Sequence, residues 1–390
     1  MAQSLLLKGG TLMPMDQGSF VGDILLQNGK IAALGTDLSC PEAQVVDVAG
    51  KYVLPGLIDA HSHIGLVQAG TRDKDHNEST NPIQPHMRAI DAINPREVSF
   101  RESLEGGVTT AVTGPGSMNI IGGTFAAIKP VGNTVKKMLL KDAVAMKAAM
   151  GENPKFCMPA NNAYPKSRLG VAAKLRETLV AAQNYARRLE LSEHDPKAFV
   201  PRDLAMEALL PVLRREMPLK IHCHWDNDML TAVRICEEFH LRYTLDHCTN
   251  AWLITDELKE AMEHGCDGLI LGPFGLYKGK HESNCNISYR NAKYVYDAGI
   301  PFAIMTDHFE TQPDSLITHA ALTTAEGVPD EVALQAVTLT AARIVGLDDR
   351  IGSLTVGKDA DVAVFSQYPL DTKAKCVMTI VNGQIAYTRA

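Results

Sequence analysis

Short apolar runs separated by turn residues occupy both ends of the chain, and a longer alternation of strand-like and helix-like runs fills the middle. At the front, Leu5–Leu7, Asp23–Leu26 and Ile31–Leu34 read as strands, the last two joined through Asn28-Gly29-Lys30. Asn-Gly between apolar runs is a strong hairpin signal, because both residues accept the positive φ of a tight turn. A matching set returns at the far end: Ile351–Phe365, Val377–Ile380, the turn Asn382-Gly383 and Ile385–Tyr387. Two half-sheets at opposite ends predict one small β domain, residues 1–54 plus 351–390, with a large domain of residues 55–350 inserted between them.

Across that middle stretch the pattern is that of βα units around parallel strands. Val53–Gly65 (V-L-P-G-L-I-D-A-H-S-H-I-G) opens it, followed by Gly107–Thr113, which runs into the turn Gly114-Pro115-Gly116-Ser117. Leu169–Leu189 and Leu230–Phe239 have helical spacing, and Pro218–His224, Leu241–His247, Gly268–Gly272 and Pro301–Asp307 read as further strands. Most of these strands end in a polar residue or a turn. Residues 66–96, with His76 and His86, read either as a lid or as an ordinary surface excursion.

Composition narrows the possibilities. The 390 residues suit one barrel of ~250 residues with a small satellite. A net charge of -7 offers no basic face for nucleic acid, so a small or polar ligand is the expected partner. Eight cysteines without C-x-x-C pairing indicate reduced thiols and a cytoplasmic protein. The start M-A-Q-S-L-L-L-K lacks the pattern of a signal peptide or a membrane span. Self-association into a homo-oligomer is also expected.

Candidate chemistry collects at the strand ends. His61 and His63 lie two apart on a strand, so both project from one face and can grip a single transition metal. H-x-H alone fits two satisfied surface histidines equally well; the company it keeps decides the matter. His222 and His224 repeat the spacing, and His247 and Asp307 each close a strand. For Asp307 a helix N-cap is the competing role.

The segment P-G-L-I-D-A-H-S-H resembles the amidohydrolase superfamily of metal-dependent hydrolases, which includes imidazolonepropionase and prolidase-like enzymes. G-S-L-T-V-G-K-D-A-D-V-A-V near the C-terminus carries the same resemblance, so the likeness covers nearly the whole chain. It implies an α/β fold, a (β/α)8 TIM-type barrel with a small composite β-sandwich domain built from both termini. It also implies His61, His63, His222, His247 and Asp307 as metal ligands, Asp307 doubling as the catalytic proton acceptor. An anionic bridge between two ions is implied within Ala145–Lys155, from Glu152 or a carboxylated Lys147, and Glu152 is favoured because it needs no modification. Zinc is the default among one or two divalent ions, with iron, manganese and cobalt compatible.

The implied reaction is hydrolysis of a C–N bond in an amide or cyclic amide, such as an N-acyl amino acid, a dipeptide or an imidazolone-like substrate. The glutamate that deaminases of the superfamily carry soon after the fifth-strand histidine is missing from His222-Cys-His-Trp-Asp226, which weakens an aminohydrolase alternative. A barrel that has lost its chemistry is weaker still, since every ligand type is present. Substrate contacts are expected from His224, Lys278, Lys280 and Arg290, the cations pairing with a substrate carboxylate or else forming a solvated basic loop.

Overall fold

The computed structural model describes residues 4–68, 74–156, 165–193, 199–276 and 285–389. Five strands come first: β1 (Leu5–Leu12), β2 (Phe20–Gln27), β3 (Lys30–Gly35), β4 (Gln44–Asp47) and β5 (Tyr52–Pro55). Eight follow in the middle: β6 (Leu57–Ser62), β7 (Val108–Thr113), β8 (Ile121–Ile128), β9 (Leu139–Ala149), β10 (Leu219–Cys223), β11 (Tyr243–His247), β12 (Cys266–Leu271) and β13 (Phe302–Ile304). The chain closes with β14 (Val362–Phe365), β15 (Cys376–Val381) and β16 (Gln384–Thr388).

Both ends of the chain share one sheet, in the order β16-β15-β14-β5-β1-β2-β3, with β4 alongside β1. The seam is the antiparallel pair β5–β14, where Val53 faces Val364 and Pro55 faces Val362. Leu7, Leu12, Ile24, Val53, Val362 and Ile380 fill one apolar core beneath it.

The run expected to be a single strand through Val53–His63 is two strands with Gly56 between them. A Cβ at Gly56 would lie 2.0 Å from Thr109 Oγ1, so no larger residue fits where the chain passes from the terminal sheet into the inner one. This is the mechanical reason for P-G in the opening motif.

β6 through β13 form a second, nearly closed eight-stranded sheet in sequence order. Beyond the short β13, backbone hydrogen bonds return to the first strand: Asp307 N donates to His61 O (3.1 Å) and His63 N to His308 O (2.9 Å). Parallel pairing with intervening helices runs from β9 to β13 as expected. The region β7–β9 departs from it, since β8 pairs antiparallel with both neighbours. Only the turn around Gly114–Ile120 separates β7 from β8, too short for the crossover that a parallel pair needs.

The outward faces of the barrel strands (Met146 and Ala148, Leu219 and Ile221, Tyr243 and Leu245) pack into the principal apolar core under the helices. Among the described residues no helix is long and apolar enough to cross a membrane.

Candidate metal centre at the barrel mouth

Strand alternation decides which side chains enter the barrel. On β6 it turns Asp59 and His61 inward, on β9 Lys147, on β10 Lys220 and His222, and on β11 Thr244 and Asp246. All of them are buried. By the same alternation His247, next to Asp246, would face the helices. Its φ of 71° takes the backbone out of strand geometry at that residue and swings the imidazole back over the mouth, and Asp307 (φ 50°) is turned in the same way. Non-glycine residues held in the left-handed region cost roughly 1–3 kcal/mol each and collect at functional sites.

Two groups of ligand-type atoms result: His61 with His63 and Asp307, and His222 with His224 and His247. In the first, His63 Nε2 lies 3.2 Å and His61 Nε2 3.5 Å from Asp307 Oδ1. The opposite ring nitrogens are engaged, His63 Nδ1 with Gly114 O at 2.7 Å and His61 Nδ1 with Asp246 Oδ2 at 2.6 Å. Each Nδ1 therefore carries its proton, and each Nε2 presents a lone pair to the space beside Asp307. Lys147 Nζ reaches the same place, 3.5 Å from His61 Nε2.

In the second group His222 Nδ1 sits 2.7 Å from His247 Nε2 and 2.8 Å from Ser117 Oγ. His247 Nδ1 donates to Gly272 O at 2.9 Å, and His224 Nδ1 meets Thr249 Oγ1 at 2.8 Å while its ring stacks on His247 at 4.5 Å. His222 Nε2 is buried with no hydrogen-bond partner among the described residues.

Burial governs the electrostatics. It lowers the pKa of His63 and of His224 to about 3, with the Lys147 charge acting in the same direction, and it pushes His61, His222 and His247 down as well. All five imidazoles are neutral near pH 7, the form that binds metal. Burial raises Asp307 to about 7 against the opposing pull of Lys147, and lowers Lys147 to about 8 in spite of Asp246.

A divalent ion fits this donor set. Two nitrogens bound to one tetrahedral zinc at ~2.0–2.1 Å stand roughly 3.3 Å apart. His222 and His247 nitrogens 2.7 Å apart, and Asp307 Oδ1 3.2 and 3.5 Å from His63 and His61, bracket that spacing, and the atoms of each group all lie within 4.8 Å of one another.

Not every sequence expectation converges here. Glu152 opens the short helix Glu152–Phe156, half-buried and in neither group. Gly151 (φ 87°) turns the chain away after β9, whereas Lys147, inside the strand, points to the metal-binding space. Of the two, Lys147 is the one that the structure brings beside His61. Arg290 is exposed and pairs with Glu326, its Nε 3.3 Å from Glu326 Oε2. Lys278 and Lys280 fall outside the described residues. Within 66–96, His86 is exposed, but His76 leans over the site with its ring 5.2 Å from that of His63.

Sequence reasoning missed Asp59, Lys220, Asp246 and Ser117. Asp59 accepts from Thr306 N (3.1 Å) and from its hydroxyl, which ties β6 to the turn that carries Asp307. For Asp59 and Lys220 the available signal was parity: a charged residue two places before a candidate ligand on an apolar strand shares its inward face.

Known proteins resemble this chain in sequence and in overall fold. An amidohydrolase from Thermotoga maritima MSB8, of known structure, is 35% identical and superposes with a TM-score of 0.95, covering 99% of this chain and 100% of that one. Amidohydrolase tasK of Hapsidospora irregularis is 27% identical over 93% of this chain, which spans only 40% of the length of that relative. The imidazolonepropionase of Fusobacterium nucleatum subsp. nucleatum is 24% identical, over 88% of this chain and 84% of its own. The amidohydrolase family matches residues 52–386, so the chain belongs to that family, enzymes that hydrolyse carbon–nitrogen bonds.

Proposed function

We propose that this protein is a metal-dependent hydrolase that opens an amide or cyclic amide at the mouth of the barrel, with His61, His63, His222, His247 and Asp307 as metal ligands. Lys147, in its carboxylated form, takes the bridging place first given to Glu152. The observation that carries the reading is the convergence of two buried donor groups, from four separate strand ends, on one opening. Zinc suits the imidazole-rich donor set best, and two ions match two groups.

When bound, such ions supply Lewis acidity to a substrate carbonyl and bring the pKa of water toward ~7. The remaining work belongs to the chain. Asp307, which burial raises to about 7, takes the proton from the attacking water at a carboxylate oxygen and returns it to the departing nitrogen. His61 Nε2 and His63 Nε2 flank Asp307 Oδ1 with their lone pairs, the arrangement that a shared cation would hold together. His224, held by Thr249 and stacked on His247, faces the mouth as a substrate contact.

The terminal strands, residues 1–54 plus 351–390, serve as a composite β-sandwich domain supporting the barrel of residues 55–350. Support for this comes from the shared core of Leu7, Val53, Val362 and Ile380.

The test is elemental analysis of the purified protein together with a hydrolysis screen of cyclic amides, N-acyl amino acids and dipeptides. The reading expects bound zinc, amide cleavage without ammonia release, loss of activity with chelator and its return with metal. Full activity in metal-free protein overturns it, and ammonia release from a heterocycle moves the assignment to an aminohydrolase.

A further inference from the structure

Beneath the first donor group lies a pair of charged residues that the proposed chemistry does not use. Lys220 is 2% exposed and Asp246 0% exposed, both deep in the barrel. Lys220 Nζ is 3.2 Å from Asp246 Oδ1 and 3.1 Å from Oδ2, so the ammonium bridges both oxygens. Thr244 Oγ1 donates to Oδ1 at 3.2 Å. Oδ2 receives the His61 Nδ1 proton at 2.6 Å. Lys220 is on β10, Asp246 on β11 and His61 on β6, so the chain of contacts crosses the barrel interior.

A carboxylate in such a place costs several kcal/mol to desolvate unless it is paired and hydrogen-bonded. Here the pairing also fixes its direction. With Lys220 bridging both oxygens and Thr244 on Oδ1, the carboxylate plane has little freedom, and Oδ2 faces the imidazole. That contact selects the Nδ1–H tautomer of His61 and leaves the lone pair on Nε2, 3.5 Å from Asp307 Oδ1. His63 and His247 obtain the same tautomer from neutral backbone carbonyls, Gly114 O and Gly272 O. His61 alone, of these three, is held by a charge, and a carboxylate acceptor raises the basicity of an imidazole ligand where a carbonyl does so less.

We infer that Lys220 and Asp246 are positioning residues that set the tautomer and donor strength of His61, and thereby the metal affinity of the His61–His63–Asp307 group in preference to the His222 group. The inference rests on the metal-centre reading above. Neither side chain touches substrate; both act through His61.

The test uses the full chain and its Asp246→Ala, Asp246→Asn and Lys220→Met variants, with three readouts. Imidazole 15N NMR of the metal-free protein reports the His61 tautomer, chelator competition reports zinc affinity, and the visible spectrum of the cobalt-loaded protein reports the ligand field. Asp246→Ala is expected to mix the His61 tautomers and to weaken one zinc of two by ~10–100-fold. Asp246→Asn, which keeps an acceptor oxygen, retains more affinity than alanine, and Lys220→Met falls at or below the low end of that range. The cobalt spectrum changes in each.

An unaltered tautomer, affinity and spectrum in Asp246→Asn and Lys220→Met overturns the inference even if Asp246→Ala fails to fold. Equal weakening of both zincs overturns the selectivity. A tautomer change in protein whose wild type takes up no metal upholds the positioning role and sinks the metal-centre reading instead, so the two failures are distinguishable.

Discussion

The two donor groups at the mouth are built from different materials. The His61 group contains a carboxylate, Asp307, rests on a second, Asp246, and has Lys147 beside it. The His222 group is imidazole throughout and its hydrogen-bonding neighbours are neutral, Ser117 Oγ, Thr249 Oγ1 and Gly272 O, while the nearest carboxylate oxygen, Asp307 Oδ2, stands 3.9 Å from His247 Nδ1. A cation gains from formal negative charge as well as from lone pairs, so the first group is the stronger electrostatic trap and the second the more adjustable one. His222 Nε2, buried and without a hydrogen-bond partner among the described residues, belongs to the adjustable side. One side of the opening carries formal charge and the other offers neutral donors.

The strongest way to break that contrast is at Asp307. Asp307→Asn keeps the shape and removes both the ligand charge and the proton acceptor, and the expected fall in kcat is ~10²–10⁴-fold, the range for losing a general base. A cleavage assay on the substrate found by screening measures it. A fall in KM alone, with kcat intact, would place the base elsewhere.

Lys147 stands between the two groups and tests whether they share a bridge. Lys147→Met is expected to lower the metal content from two ions to one, whereas Glu152→Gln leaves both in place, because Glu152 lies past the turn at Gly151 on a short helix. Elemental analysis of the two variants side by side reads the difference. Metal loss in Glu152→Gln with full occupancy in Lys147→Met would restore the glutamate.

The contrast between Lys147 and Glu152 bears on what was legible in the chain and what was not. H-x-H at His61 and His63, the strand-end His222, His247 and Asp307, and the pairing of both termini were readable, because alternation and turn residues are local. Lys147 against Glu152 was not, since it depends on where β9 stops, and the small residues of A-M-K-A-A-M-G carry no sharp boundary. The same cause hid β8, where Gly122, Gly123, Ala126 and Ala127 blur the period of two. Asp246 was masked differently: it sits beside His247, and only the positive φ of His247 lets neighbouring residues both face the site. Local pattern predicts which face a residue takes until the backbone leaves strand geometry, and here it leaves at two of the proposed ligands, His247 and Asp307.

The groups should also separate in their response to acid. Each histidine of the His222 group has its pKa lowered, His224 to about 3, chiefly by burial. Below pH 6.5 the unfolded chain takes up protons that the folded chain refuses, so the stability of metal-free protein is full above 6.5 and is lost as pH falls toward 3, by ~1.4 kcal/mol per pH unit for each proton. In the His61 group, burial raises Asp307 to about 7, which gives the opposite slope over the same range and offsets part of the histidine effect. His224→Gln is therefore expected to flatten the acid limb of a melting-temperature profile by about one proton, and Asp307→Asn to steepen it. Parallel profiles for the two variants would mean that the groups are electrostatically alike.

The smallest effect is expected outside both groups. Arg290 has 66% of its side chain exposed and already pairs with Glu326 across the surface between two helices. Exposed pairs of this kind contribute ~0–1 kcal/mol, and a guanidinium so placed has no path to an anion at the mouth without first leaving its partner. Arg290→Ala should change kcat and KM by less than about twofold, a difference of under ~0.4 kcal/mol. His224→Gln on the same substrate should raise KM by roughly threefold to tenfold, the loss of one well-placed hydrogen bond of about 1 kcal/mol. If Arg290→Ala raised KM as much as His224→Gln, the substrate would extend from the mouth across the outer end of the helix Arg290–Asp297, and the adjustable side of the opening would be wider than the imidazole group alone.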